Sequence, residues 1–336
     1  MSKPLLKVEN LRVQFGIFAA LQDISFDLQS GETLGLVGES GSGKSTLARA
    51  ILRLTPAASG RVLWQGEDLL SLGAAELRRR RRDLQIVFQD PLASLNPRMS
   101  IGDTLAEPLK IFEPKMSAAA RRTQIAGMLD RVGLSADMAR RFPHEFSGGQ
   151  CQRIGIARAM MLRPKLLVCD EAVSSLDVSV QGQIVNLLTD LQRNFGIAML
   201  FISHNLAVVR HVSHRVLVMY RGSLVEVADT DALFAAPAHP YARELLAAVI
   251  GSVEERPSVH ATVVAQATVQ NPPVQNMATG DRVIAGCAFE PRCTYAQAVC
   301  TASVPLLQEV SAGHWTVCHR WREVVYSSQH ETRKSD

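Results

Sequence analysis

The chain has 336 residues, of which 47% are hydrophobic and 20% charged, with a formal net charge of +4. This length suggests two domains and allows a sizeable buried core. The net charge is too small to indicate a nucleic-acid-binding protein by itself. No apolar run approaches the ~18 residues needed to cross a bilayer. We therefore expect a cytosolic protein that contacts a membrane only through a partner.

The chain begins with strand-like segments. Leu5–Val8 and Ile24–Leu28 alternate apolar and polar residues between turn-forming residues, which predicts an antiparallel sheet. Thr33–Val37 is a short apolar run and is predicted to be the next strand, following on from that sheet. Leu47–Leu52 has the composition of a helix.

Gly38–Thr46 is a complete phosphate-binding loop of the pattern G-x-x-x-x-G-K-[ST]. Its glycines allow a tight turn whose N–H groups point at the phosphates of a nucleotide. Lys44 adds a positive charge for the β- and γ-phosphates, and the Ser45 hydroxyl is placed to bind Mg²⁺. The predicted strand before the loop and helix after it are the setting that the motif requires. The nucleotide-binding residues predicted here are Gly38, Ser40, Gly41, Gly43, Lys44, Ser45 and Thr46.

Arg78–Arg82 is the one dense run of charge in the chain. No aromatic residues alternate with these arginines, as they do in many nucleic-acid-binding segments. The run is therefore interpreted as the solvated face of a helix, and no nucleic-acid partner is expected.

Two acids end a later strand. Leu166–Cys169 is an apolar run followed directly by Asp170 and Glu171. A buried strand holds such carboxylates rigidly, so Asp170 is suited to bind Mg²⁺, directly or through water. Glu171, one residue further on, is predicted to orient and deprotonate the attacking water.

Gln89 and His204 also follow strand-like runs, Ile86–Phe88 and Met199–Ser203. Ligands of open α/β folds bind at the carboxyl ends of the strands, where both residues are expected to lie. There the Gln89 amide could reach the metal and the water, and a neutral His204 imidazole could hydrogen-bond the γ-phosphate. Taken alone, a Gln at this position indicates nothing and a His is more often structural; their place beside the phosphate loop and the two acids favours the functional role. Glu171, His204 and Gln89 are thus the predicted catalytic residues, and Ser45, Gln89 and Asp170 the predicted Mg²⁺ ligands.

Residues 95–160 have a helical pattern, whereas apolar runs alternate with helical stretches from 166 to 228. The alternation is typical of a parallel sheet flanked by helices. Within the helical region, Ser147–Gln150 places two glycines before a helix, which makes a second anion site in a chain with one phosphate loop. We infer a shared site in which the segment Ser147–Gln150 of one subunit completes the nucleotide pocket of another.

These motifs, in this order and spacing, resemble the ATP-binding cassette of ABC transporters over about residues 5–250. The resemblance implies an α/β fold with a phosphate-loop parallel-sheet core, an antiparallel β subdomain and a helical subdomain at about 95–160. It also implies that Phe15 stacks on adenine and that Asp177 lies at a dimer interface. Ser147 and Gly149 would contact the γ-phosphate held by the opposite subunit.

Three segments narrow the resemblance: Val87–Arg98, Cys169–Gln181 and His239–Tyr241. They are similar to the ATPase subunits of oligopeptide, dipeptide and nickel importers, and Leu95–Arg98 resembles the F-type subunit that pairs with a D-type paralogue. Two residues depart from that family, Cys151 for the usual Arg or Gln and Ser175 for the usual Ala. Neither removes a catalytic group.

Four cysteines, Cys287, Cys293, Cys300 and Cys318, follow a segment at 251–280 that is predicted to be a linker. In a reducing cytosol such a cluster favours a metal over disulfides. The spacing leaves open an iron–sulfur cluster, an irregular zinc site or unligated thiols. The similar importers carry Gly-Cys-x-Phe-x-Pro-Arg-Cys here, which Gly286–Cys293 follows with Glu290 in place of the common His. By this resemblance the four cysteines of a small domain at 281–325, before a tail at 326–336, hold a [4Fe-4S] cluster.

The resemblance implies a peripheral ATPase on the cytoplasmic face of the inner membrane that powers peptide import. Its expected partners are a D-type paralogue or a second copy of itself, two transmembrane permeases and an extracytoplasmic solute-binding protein. The solute is left open among peptides, glutathione-like compounds, opines and nickel. A soluble cassette ATPase without a transport role and a metal- or redox-responsive regulator are the alternatives from other classes.

Overall fold

The computed structural model describes residues 3–250 and 286–332. The predicted linker at 251–280 lies outside the described residues. No helix in the described part of the chain is long and apolar enough to cross a membrane.

The described residues form twelve strands, which belong to two sheets. In chain order they are β1 (Leu6–Phe15), β2 (Phe18–Leu28), β3 (Thr33–Val37), β4 (Ser59–Trp64), β5 (Glu67–Asp68), β6 (Leu84–Val87), β7 (Leu166–Asp170), β8 (Ala198–Ile202), β9 (Arg215–Tyr220), β10 (Ser223–Asp229), β11 (Gln308–Ser311) and β12 (His314–Thr316).

The same residues form eleven α-helices, with short 3₁₀ turns between some of them. They are α1 (Lys44–Ile51), α2 (Ala74–Arg80), α3 (Ile101–Phe112), α4 (Ala118–Arg131), α5 (Gly148–Met160), α6 (Val178–Phe195), α7 (Leu206–Val212), α8 (Thr230–Ala235), α9 (Pro240–Ile250), α10 (Ala298–Ala302) and α11 (Trp321–Thr332).

The larger sheet has the order β11-β12-β10-β9-β3-β8-β7-β6, and the smaller, antiparallel sheet has the order β2-β1-β4-β5. Strands β9, β3, β8, β7 and β6 are parallel neighbours, so their carboxyl ends share one edge. Every residue of β3, β7 and β8 is buried, as expected of strands covered on both faces. The predicted α/β fold, with its parallel core, antiparallel sheet and helical region, is confirmed.

Strand β3 follows β2 directly in the chain but belongs to the other sheet. It lies between β8 and β9 in the parallel sheet. The reason is its composition, because an uninterrupted apolar run cannot expose one face to water as β1 does. The chain therefore passes from one sheet to the other immediately before the phosphate loop.

Helices α3, α4 and α5 form the helical layer, and each begins at a serine. Ser100, Ser117 and Ser147 accept a hydrogen bond from the backbone N–H three residues further on. Asn96, Pro97 and Pro143, which disfavour helix, lie outside these three helices. The Arg78–Arg82 run ends α2, where Arg80 pairs with Glu67 and Arg82 with Glu113, in keeping with a solvated helix face.

The cysteine-bearing segment does not stand apart from the rest of the fold. Its hairpin, β11 and β12, adds to the edge of the larger sheet through β10, with Glu226 opposite Thr316 and Val227 opposite Trp315. Phe289 belongs to the same hydrophobic core as the helical layer, and the partly buried Cys293 packs against it. The boundaries of a separate C-terminal domain stay a prediction.

Candidate nucleotide-binding site

The phosphate loop connects β3 to α1 at the carboxyl edge of the parallel sheet. Gly43 precedes α1 with φ 101°, and Gly38 has φ 151°. A Cβ on Gly38 would lie 2.2 Å from the backbone oxygen of Met219, so β9 excludes any side chain there. The loop is therefore held close to the sheet, with its N–H groups at the start of a helix, as anion binding requires.

Lys44 is the first residue of α1, and its ammonium is directed back over the loop. Its Nζ donates to the carbonyl oxygens of Gly38 and Glu39, both at 2.8 Å. Burial lowers the pKa of Lys44, although Glu171, Asp170 and Glu39 oppose this effect. The charge thus lies inside the loop, within electrostatic range of three carboxylates.

The side chains of Ser45 and Asp170 are in contact beside the phosphate loop. Ser45 Oγ donates to Asp170 Oδ1 at 2.7 Å, joining α1 to the end of β7. Burial is the main cause that raises the pKa of Asp170, and the hydrogen bond from Ser45 opposes it. A hydroxyl and a carboxylate oxygen side by side are hard ligands of the kind that Mg²⁺ prefers.

Glu171 is in contact with both other predicted catalytic residues. Gln89 Nε2 donates to Glu171 Oε2 at 3.1 Å, and His204 Nδ1 lies 3.7 Å from the same oxygen. The interaction with His204 lowers the pKa of Glu171, and that with Glu171 raises the pKa of His204. The structure thus brings Gln89, Glu171 and His204 together at the carboxyl edge of the parallel sheet.

The backbone of Glu171 is itself unusual. Its φ is 49°, a left-handed conformation that non-glycine residues rarely adopt. Its N–H donates to the carbonyl of Ile202 in β8 at 3.1 Å, which fixes this turn against the neighbouring strand. Strain of this kind concentrates at functional sites, and it turns the carboxylate toward Gln89 and His204.

The signature Ser147–Gln150 is not joined to this group. Ser147 Oγ accepts from the Gln150 N–H at 3.4 Å, and Gln150 Oε1 accepts from the Ser147 N–H at 3.0 Å, a capping box that starts α5. No hydrogen bond in the described residues connects Ser147, Gly149 or Gln150 to the phosphate loop.

The other residues singled out in the sequence differ in how far they are exposed to solvent. Phe15, at the end of β1, is 52% exposed, and Thr46 is half-buried in the first turn of α1. Asp177 caps α6 by accepting from the Val180 N–H. Of the two departures, Cys151 is fully buried under the signature, and Ser175 donates to the Gln89 carbonyl at 3.4 Å.

The four C-terminal cysteines line one cavity, together with His239 and Phe289. Burial raises the pKa of Cys287 and of Cys293, and that of Cys318 to about 12. The Arg320 N–H donates to Cys318 Sγ at 3.3 Å. Even so, no three Cys, His, Asp or Glu side chains in the described residues are placed to bind a metal ion. The structure therefore brings the predicted ligands to one cavity without forming a single-ion site.

Family models match two parts of the chain. A model of ABC transporters matches residues 21–174, and one of the oligopeptide/dipeptide transporter C-terminal region matches residues 225–300. The oligopeptide transport ATP-binding protein OppF of Haemophilus influenzae is 45% identical over 330 residues, which are 94% of this chain and 96% of the relative. The chain belongs to the ATP-binding proteins of oligopeptide ABC transporters. Proteins of this family are ATPases coupled to transport.

Other relatives agree with this membership. OppF of Salmonella typhimurium is 46% identical over 91% of this chain and 93% of its own length. The glutathione import ATP-binding protein GsiA of Escherichia coli is 53% identical over 260 residues, but these are 74% of this chain and only 41% of GsiA.

Two solved structures share the fold of this family member. CbiO1 of Clostridium perfringens, part of an ABC transporter complex, has a TM-score of 0.65 and 25% identity, over 76% of this chain and 96% of its own. The bacterial ABC transporter cassette MJ0796, solved as a dimer, has a TM-score of 0.62 and 28% identity, over 67% of this chain and 98% of its own.

Sequence reasoning missed two residues near this site. Tyr241 Oη accepts from the Glu39 N–H at 2.8 Å, and Arg292 Nη1 donates to the Glu39 carboxylate at 3.0 Å. Both residues lie within sequence motifs that resembled the importer family, but nothing in the sequence alone pairs them with a loop more than 200 positions earlier.

Proposed function

We propose that this chain hydrolyses ATP to power the import of peptides through a membrane transporter. The observation that carries the proposal is the convergence of Ser45, Asp170, Gln89, Glu171 and His204 beside the phosphate loop. The transport role is supported by the OppF relatives, which are oligopeptide transport ATP-binding proteins.

ATP would bind with its phosphates on the loop N–H groups and Lys44, and with adenine against Phe15. Ser45, Asp170 and Gln89 would hold the Mg²⁺ that accompanies ATP, since their oxygen atoms match the ligands of this ion. Gly38, Ser40, Gly41, Gly43 and Thr46 complete the proposed binding set. The exposed Phe15 is available for stacking, because more than half of its surface is open.

Glu171 would act as the general base in hydrolysis. It takes a proton from water, whose oxygen attacks the γ-phosphorus as the bond to the ADP oxygen breaks. Gln89 orients the water and Glu171, to which it already donates. His204 donates to the γ-phosphate, and its raised pKa favours the protonated form that strengthens such a bond.

Two subunits would share the nucleotides between them. Ser147, Gly149 and Gln150 of one subunit would close on the γ-phosphate of the other, which agrees with their separation from the phosphate loop of their own chain. We propose a D-type paralogue as the second subunit, with a second copy of this chain as the alternative. Two permeases and an extracytoplasmic solute-binding protein would complete a complex on the inner membrane, with this chain on its cytoplasmic face.

We propose further that Cys287, Cys293, Cys300 and Cys318 hold a [4Fe-4S] cluster. Four thiols that line one cavity are a suitable donor set, because a cubane takes one thiolate for each iron. The thiolates of a cubane stand further apart than the ligands of one ion, which is compatible with the lack of a single-ion site in the described residues. Iron and sulfide analysis of anaerobically purified protein, beside Cys293→Ser and the matched Cys151→Ser, tests this assignment. About four irons, lost only in Cys293→Ser, support it; zinc, or neither metal, contradicts it.

Uptake of labelled peptide tests the transport role. The chain, expressed with its permeases and binding protein in a host that lacks its own peptide-import ATPase, should restore accumulation of a labelled tripeptide. Lys44→Ala should abolish uptake while the complex still assembles. Uptake that is equal with and without this chain contradicts the proposal.

Glutathione import is the second candidate, and the 53% identity to GsiA favours it. Competition separates the two. If excess reduced glutathione abolishes uptake of the labelled tripeptide and a mixture of dipeptides does not, glutathione import is favoured. If the dipeptides abolish uptake and glutathione does not, peptide import is favoured.

A further inference from the structure

The start of the phosphate loop is in contact with the cysteine-bearing segment. Glu39, the second residue of the loop, accepts two hydrogen bonds from Arg292 Nη1, at 3.0 and 3.2 Å. Arg292 lies one residue before Cys293, and its other terminal nitrogen binds Glu244 of α9. One guanidinium therefore joins the loop, α9 and the cysteine segment.

The backbone of Glu39 is held from the same side. Its N–H donates to Tyr241 Oη at 2.8 Å, and the Tyr241 ring packs against Phe289 with the centroids 5.5 Å apart. Phe289 also meets Tyr220 edge to face at 5.2 Å and is only 2% exposed. Phe289 thus packs against the tyrosine that holds the Glu39 backbone, whereas Arg292 holds the Glu39 side chain.

The Arg292 guanidinium also lies close to two aromatic rings. Arg292 Cζ lies 5.4 Å from the centre of the Phe289 ring and 5.8 Å from that of Tyr220, distances at which a cation is attracted to an aromatic face. Contacts on several sides fix the orientation of its planar donors better than one exposed ion pair would.

The ion pair between Arg292 and Glu39 is expected to affect ATP binding because Glu39 is negatively charged. Glu39 is the second residue of the phosphate loop, and its carboxylate is near enough to Lys44 to favour the charged form of that ammonium. Its charge is therefore within electrostatic range of the group that attracts the phosphates. A negative charge at that position repels a polyanion unless it is neutralised. Arg292 supplies the opposite charge, from a segment that the sequence places 253 positions away.

We infer that Arg292 is a positioning residue of the ATP site, which neutralises and orients Glu39 so that the cysteine-bearing segment sets the affinity for ATP. The inference concerns the residues of this chain and applies whether or not the four cysteines hold a metal. It rests on the ATPase activity and not on the identity of the transported solute.

Steady-state hydrolysis and the affinity for a fluorescent ATP analogue, measured on the full chain, test the inference. Arg292→Ala should raise the KM for ATP and the Kd for the analogue about two- to fivefold, the range of a partly exposed ion pair, with kcat unchanged. Arg292→Lys should recover part of the affinity, because it keeps the charge but not the planar donors. Glu244→Ala is the comparison variant: it removes the other ion pair of Arg292 but keeps the pair with Glu39, so it should raise KM by less than Arg292→Ala does.

A double-mutant cycle decides the mechanism. In the Glu39→Gln background the carboxylate is no longer charged, so Arg292→Ala should change KM by less than about half as much as in the wild-type background. An unchanged KM in Arg292→Ala, or the same increase with and without Glu39, would overturn the inference. A lower melting temperature with unaltered KM would show a merely structural role. Failure of peptide uptake alongside the predicted KM pattern would refute the peptide-import proposal and leave this inference standing.

Discussion

His314 Nε2 lies 2.7 Å from Glu226 Oε1, and both side chains are buried where the hairpin of β11 and β12 joins β10. The same carboxylate accepts from the N–H groups of Ala238 and His239, at 2.8 and 2.6 Å. Burial raises the pKa of Glu226, while His314 and the two N–H groups oppose that effect. One buried carboxyl thus attaches both the start of α9 and the C-terminal hairpin to the larger sheet.

Replacing this group should destabilise the protein. In Glu226→Gln the amide nitrogen must face the N–H of either Ala238 or His239, so at least one buried hydrogen bond is lost. We expect the free energy of unfolding to fall by about 2–4 kcal/mol, measured by urea denaturation. Glu309→Gln, on an exposed position of β11, is the control and should change stability by less than about 0.5 kcal/mol. Equal stability of the two variants would contradict the anchoring role.

The two glycines of the signature should differ in their tolerance of alanine. A Cβ on Gly149 would lie 2.6 Å from Val180 Cγ1, whereas one on Gly148 would meet only Leu176 Cδ2 at 3.8 Å. Gly149→Ala should therefore lower the free energy of unfolding by about 1–3 kcal/mol, because Val180 is stiff and α6 must shift. Gly148→Ala should change it by less than about 1 kcal/mol.

A second substitution tests the steric explanation for Gly149. Val180→Ala removes the opposing methyl groups, so Gly149→Ala should cost clearly less in that background than alone. Thermal unfolding of the four proteins of this cycle measures the coupling. Additive losses would mean that the backbone of Gly149, and not the space beside Val180, sets the requirement.

The pair of Glu171 and His204 makes a prediction for pH. Because the pKa of His204 is raised and that of Glu171 lowered, the charged pair is complete between the ordinary values of about 4.3 and 6.5. The pair is lost as the pH rises through the raised pKa of His204, or falls through the lowered pKa of Glu171. In Glu171→Gln the pKa of His204 should move down, as measured by NMR titration of the imidazole. Glu76→Gln, an exposed change on α2, should leave the titration as it is. A His204 pKa that is the same in all three proteins would exclude the interaction.

The sequence predicts those parts of the fold that depend on residues close together in the chain. The loop at Gly38–Thr46, strand β7 with its two acids and helix α6 are each specified by neighbouring residues, and their places agree with the structure. Long-range pairings carry no such local signal. The position of β3 between β8 and β9, and the contacts of Arg292 with Glu39, depend on surfaces that meet only in the folded chain. For the same reason, no local pattern indicates that the hairpin of the cysteine-bearing segment extends the main sheet.

Glu171→Gln provides the most direct test of the chemistry. The amide keeps the size of the side chain and a contact with Gln89 but cannot accept a proton from water. Because general base catalysis contributes about 10²- to 10⁴-fold, kcat for ATP hydrolysis should fall by that factor, while the affinity for ATP is retained. Retained binding without turnover should also trap two subunits around ATP, which light scattering would detect as a stable dimer. Asp170→Asn is the contrasting variant, because it removes a proposed Mg²⁺ ligand and should weaken Mg²⁺-dependent binding as well as turnover. Unchanged turnover in Glu171→Gln would exclude Glu171 as the base and leave Gln89 or His204 to position the water.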